Sequence, residues 1–206
     1  MDVTIGEGPA AKTFKLHKGV LTFYSGYFEK ALNGQFREAH SSVVEISDTN
    51  ANVFETVLYW LYNRRFTAAA EDHTIDWDTI VDLWIFGDAH DVPLLQNTAI
   101  NALHQKVVKE WIVPTAQIVP VYENTVHGSQ LRQYLIDAFG KLGGHDVHLA
   151  KGEEYLWTKE ALCDLVRVIW FAGTQRPTKE AVSKWDMCQY HVHREGVKCG
   201  SNAAST

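Results

Sequence analysis

Apolar and polar positions along the chain alternate between two rhythms early and settle on one. "DVTI" (2–5) and "TFKLH" (13–17) follow a period of two, with Phe14 and Leu16 set against Thr13, Lys15 and His17, which predicts two strands each with one buried face. The intervening "GEGPAAK" is turn chemistry, so the two are expected to form a hairpin. "SGYFEKAL" follows with Ser25 as N-cap and Tyr27, Phe28, Ala31 and Leu32 on one helical face. "SSVVEIS" returns to the strand period, Val44 and Ile46 on one side and Val43 and Glu45 on the other. From Asn50 onward the period is helical. "NANVFETVLYWLYNRR" carries a stripe of Val53, Phe54, Val57, Leu58, Leu61 and Tyr62 behind an Asn50 cap.

"TAAAEDHT" (67–74) reads as a loop, "DWDTIVDLWIFGDAH" as a helix, and Pro93 as the first turn of the next, whose stripe is Leu94, Leu95, Thr98, Ala99, Ala102 and Leu103. Three further helices are expected in "TAQIVPVYENT", "SQLRQYLIDAFGKL" and "KEALCDLVRVIWFAG", with Pro120 kinking or delaying the first and "GGHDVHLAKGE" separating the last two. Past Gly173 the periodicity fades, and "GSNAAST" reads as a frayed tail. Strands clustered early with helices behind them define an α+β domain followed by an all-helical extension. No internal repeat suggests a solenoid or propeller.

Composition narrows the function classes. A hydrophobic share of 46% with 21% charged residues is that of a folded globular chain. The net charge of −6 argues against a nucleic-acid partner, which would require a basic stripe. No apolar run reaches the length of a bilayer span, and "MDVTIGEGPA" lacks a leader's basic and apolar regions; a soluble intracellular chain, cytoplasmic or nuclear, is expected. Three cysteines at uneven spacing do not form a secreted disulfide framework.

The motifs of common enzymes are missing: no G-x-S-x-G elbow, Walker loop, G-x-G-x-x-G after a strand, or H-E-x-x-H. The chain is expected not to be an enzyme. Cys163, beside Leu162 and Leu165, reads as a small core residue. "CQYHVHREGVKC" stands apart from this background. Cys188, His191, His193 and Cys199 make a C-x2-H-x-H-x5-C arrangement, and thiolates with imidazoles so close in sequence suit tetrahedral zinc. The competing reading is a polar tail with incidental histidines, since two His one residue apart point away from each other along an extended chain. No other cofactor is expected.

The order of elements, with "DVTI", "FKLHKGVLTFYSGYFEKAL", "VEISD", "VFETVLYWLYNRR" and "DLWIFGDAHDVPLLQNTAINAL", resembles a BTB/POZ domain, particularly those of short fungal proteins. The resemblance implies a BTB/POZ fold over residues 1–108, a small sheet flanked by a helical cluster. A helical extension is then expected over 109–185, and a tail with the Cys/His cluster over 186–206. It further implies a protein-interaction module, read as a substrate adaptor joining a cullin-type ubiquitin ligase to an unidentified client. The alternative is a non-ligase scaffold or transcription-regulatory interaction protein. Many BTB domains carry a helix and a strand ahead of "DVT" that build the dimer seam; with "DVT" at position 2, a monomer is expected. Ligase adaptors of the family place a hydrophobic residue, any residue and Glu after the helix that "SGYFEKAL" resembles. Phe36, Arg37 and Glu38 in "NGQFREAH" have that form, implying a partner-binding site.

Overall fold

A computed structural model describes residues 1–34, 43–68, 72–142, 152–171, 176–193 and 199. The chain divides into two compact units, residues 1–99 and 100–206.

In the first unit, strand β1 (Asp2–Ile5) pairs antiparallel with β2 (Lys12–Lys15), Val3 opposite Phe14. The hairpin turns through Gly6 and Gly8, both at positive φ, where a side chain would strain the backbone. Strand β3 (Val43–Ile46) joins the other side of β1 in parallel, giving the order β2-β1-β3. Val3, Ile5, Phe14, Val44 and Ile46 are buried. Among the described residues between β2 and β3 are α1 (Lys18–Tyr24) and α2 (Gly26–Asn33), hinged at Ser25. The Ser25 hydroxyl accepts from the Phe28 amide at 3.0 Å and donates to the His90 carbonyl at 2.6 Å, so one side chain caps α2 and fastens it to the rest of the unit. Gly26 leaves room beside it for the Asp91 carboxylate, which a Cβ at this position would displace.

Three longer helices complete the order. α3 (Ala51–Asn63) is capped by Asn50, α4 (Trp77–Ala89) by Asp76, and α5 (Pro93–Glu110) contains the division between the units. Phe54, Val57, Trp60 and Leu61 of α3 are buried, as are Ile80, Val81, Leu83 and Trp84 of α4. The His90 ring stacks on Phe86 at 4.0 Å between centroids and on Phe28 at 5.3 Å.

In the second unit α6 (Ile118–Asn124) follows a short 3-10 turn and holds Pro120 in its first turn, where a missing N–H costs nothing. Then come α7 (Gln130–Leu142), α8 (Lys159–Phe171) and the short α9 (Lys179–Ser183). The buried guanidinium of Arg132 on α7 donates to the Tyr122 carbonyl at 2.7 Å and to the Thr125 carbonyl, and pairs with Glu160 of α8 at 2.9 Å. A fixed cation at the carbonyl end of α6 offsets the partial negative charge there. Among the described residues no helix is long and apolar enough to cross a membrane.

The architecture is α+β, as the pattern predicts, with several local differences. Helix α1 has no counterpart in the predicted elements, because "KGVLTFY" buries only Leu21 and has no capping side chain. On α3 the tryptophan, not the tyrosine, faces inward: Trp60 is buried with its indole N–H donated to Thr98 at 3.1 Å. Tyr62 stays half exposed and its hydroxyl accepts from the His17 amide. Leu94 is exposed despite its place in the expected stripe. Cys163 is exposed too, correcting its reading as core; on α8 the inward face is Ala161 and Leu165.

Candidate functional site

Past α9, where the periodicity has faded, Asp186 opens a 3-10 turn over Met187–Tyr190, its carboxylate accepting from the Cys188 amide at 3.0 Å. Tyr190 holds that turn down. Its ring is fully buried, edge-on to Tyr134 of α7 at 5.2 Å, and its hydroxyl donates to the Asp137 carboxylate at 2.7 Å. A buried aromatic with a satisfied hydroxyl is a strong anchor for a short non-periodic segment. Cys188, His191 and His193 are carried on or just beyond it.

The four residues singled out in the sequence lie together. Nε2 of His193 is 3.3 Å from the Cys188 sulfur and 3.5 Å from the Cys199 sulfur. The ligand atoms of Cys188, His193 and Cys199 all fall within 4.8 Å of one another. Nδ1 of His191 is 2.8 Å from the Cys199 sulfur, and the Cys199 amide donates to the Cys188 sulfur at 3.2 Å. His191 stands beside this set and not within it: its near nitrogen meets Cys199 but is not within 4.8 Å of all three other donors. The rings of His191 and His193 sit 5.9 Å apart at 66°. All three cysteines are free thiols.

A fifth residue orients the set. Nε2 of His191 lies 2.8 Å from Oδ1 of Asn101 on α5. An amide oxygen only accepts, so Nε2 carries the hydrogen and Nδ1 presents its lone pair toward Cys199. Neither Asn101 nor the Tyr190–Asp137 anchor shows any signal in the sequence; the partners are 90 and 53 positions apart. Burial pushes the His191 imidazole below its usual range, the neighbouring His193 adds to this, and Asp186 opposes it. The Cys199 thiol is pushed up by desolvation and by the hydrogen bond and charge of Cys188. Imidazole nitrogens and cysteine sulfurs of this kind are the donors that a borderline cation takes.

A second grouping, His127, Glu160 and Asp164, is differently made. Its carboxylates are already engaged, Glu160 by Arg132 at 2.9 Å and Asp164 by Arg167 at 2.6 Å and the Tyr122 hydroxyl at 3.0 Å. Two guanidinium groups in place disfavour a further cation.

The other candidate site, Phe36, Arg37 and Glu38, lies outside the described residues. The flanking elements are described: α2 ends at Asn33 and β3 begins at Val43. The described elements of residues 1–99 are a three-stranded sheet of order β2-β1-β3, helices α1 and α2 after β2, and longer helices after β3. The family model of the BTB/POZ domain matches residues 1–105, and the chain belongs to that family, one of protein-interaction modules. No curated protein matches the chain.

Proposed function

We propose that the chain is a substrate adaptor of a cullin-type ubiquitin ligase. The observation that carries this reading is the string Phe36–Arg37–Glu38 between α2 and β3 of a BTB/POZ domain. Phe36 has no periodic apolar neighbours in "NGQFREAH", so it suits the role of an anchor that enters a pocket on the partner. Glu38, two residues on, supplies a carboxylate that pairs with a donor there and sets orientation. The cullin is gripped through Phe36 and Glu38, and the client is held elsewhere on the chain.

The test is a titration of the full chain against a purified cullin. Burial of a phenylalanine from water contributes ~1.5–3 kcal/mol, so Phe36→Ala should weaken binding about ten- to a hundredfold. Glu38→Ala should weaken it less, and neither change should move the melting temperature. Loss of stability with unchanged affinity in Phe36→Ala would make the residue part of the core. A wild-type chain that binds no cullin would leave a non-ligase scaffold or transcription-regulatory role in its place.

A further inference from the structure

We infer that Cys188, His191, His193 and Cys199 form a tetrahedral site for one structural zinc ion, which clasps the turn at Met187–Tyr190 to the helices of its own unit. Zinc bonds sulfur at about 2.3 Å and imidazole nitrogen at about 2.0–2.1 Å, so the sulfur-to-nitrogen edge of its tetrahedron is about 3.5 Å. His193 Nε2 stands at 3.3 Å and 3.5 Å from the two sulfurs, which is that edge twice over. His191 Nδ1 meets Cys199 at 2.8 Å but is not within 4.8 Å of all three other donors, so it completes the tetrahedron by turning inward on coordination.

Three further features belong to such a site. The tautomer of His191 is set by Asn101 so that the lone pair on Nδ1 faces the sulfurs, the arrangement by which an outer residue orients a metal-bound histidine. The Cys199 amide donates to the Cys188 sulfur, which ties the two cysteines of the set to each other. The turn that carries Cys188 and leads into His191 and His193 is fixed independently, by Asp186 at its start and by Tyr190 buried against Tyr134 and Asp137. Three of the donors, Cys188, His193 and Cys199, therefore stand close together before any ion arrives. Two sulfurs and two imidazole nitrogens select a borderline cation of tetrahedral habit, which is zinc. Four protein donors leave no position open for water or substrate, so the ion is structural and not catalytic. The inference is independent of the cullin reading, since every residue in it lies in 100–206 and Phe36 to Glu38 do not.

The experiment is metal analysis of the full chain, purified without chelator and without a metal-affinity step. About one zinc per chain is expected. The ion is then removed under reducing conditions and cobalt(II) is titrated in. Intense visible bands with a sulfur-to-cobalt charge-transfer band should appear, and zinc should displace them. Cys188→Ser and His193→Ala should abolish both. Cys163→Ser, which changes the remaining exposed thiol, should leave both intact. Asn101→Ala should keep the bands while weakening affinity about ten- to a hundredfold, as loss of an orienting residue does. Two results would overturn the inference: less than about a tenth of an ion per chain together with no cobalt bands in the reduced wild-type protein, or a Cys188–Cys199 disulfide in metal-free protein as isolated. Both are read on the wild type, so a ligand variant that fails to fold does not blunt the test.

Discussion

At the level of single residues, His90 shows how a polar group comes to belong to a core. Its ring lies between Phe86 and Phe28, Nδ1 donates to the Phe86 carbonyl at 3.0 Å, and its own carbonyl accepts from Ser25. Burial pushes the imidazole below its usual range, while the bond to Phe86 and the field of Asp48 oppose the shift. The unfolded chain then binds a proton at about pH 6.5 that the folded chain resists, so stability is intact above that pH and is lost as pH falls below it. His104 shifts in the same direction, whereas Asp82 and Asp88, raised by burial, act oppositely at lower pH. A comparison with His90→Phe isolates the one group, because the ring stack survives. We predict that melting temperatures from about pH 7 to 5 will fall more steeply in the wild type than in the variant. Parallel lines would remove His90 from the account. The sequence could not have marked this residue: "GDAHDV" places a histidine at a helix end, and only the folding of α2 against it supplies the stack.

Elements were legible wherever an apolar stripe and a cap occurred together. Ser25 and Asn50 cap α2 and α3 as their sequences predict, because a short polar side chain ahead of a periodic run has an unpaired helical N–H within reach. Asp76 does the same for α4, with one oxygen accepting from the Thr79 amide at 2.7 Å and the other from its hydroxyl at 3.1 Å. Asp76→Ala should cost about 0.5–2 kcal/mol in denaturant unfolding. Asp76→Asn should retain most of that, and equal losses in both would point to charge instead of the cap. Where the stripe and the cap are both missing, the element leaves no sign in the sequence. α1 has a single buried residue and no cap, and it packs beside α2 and α3. On α3 the buried aromatic is Trp60, three positions on from Val57 on the inward face, whereas Tyr62 lies about 200° round the helix from Trp60.

For the whole molecule, the α+β class and the family are written in the order of elements over the first half of the chain. The candidate metal set was legible only as composition, four donors of the right kind close together. Its convergence rests on Tyr190, Asp137 and Asn101, whose partners lie far away in sequence and follow no period. We predict a division in hydrogen exchange to match. Chelation of the wild-type chain should speed exchange in the turn around Met187–Tyr190 and in the part of α7 near Tyr134 and Asp137. The amides of β1 and of α3 around Phe54 and Trp60, in the other compact unit, should not respond. Uniform acceleration through both units would show that the ion, if held, supports more than its own neighbourhood.

The hydrogen bond from His191 to Asn101 also has a meaning in time. It closes a span of 90 residues, and contacts of such separation form late because the chain must first surrender the freedom of everything between them. Met187–Tyr190 has no floor to settle on until α7 has brought Tyr134 and Asp137 into position. The zinc inferred above would then be taken up late in the assembly of residues 100–206, and the rate of its uptake would time the steps before it.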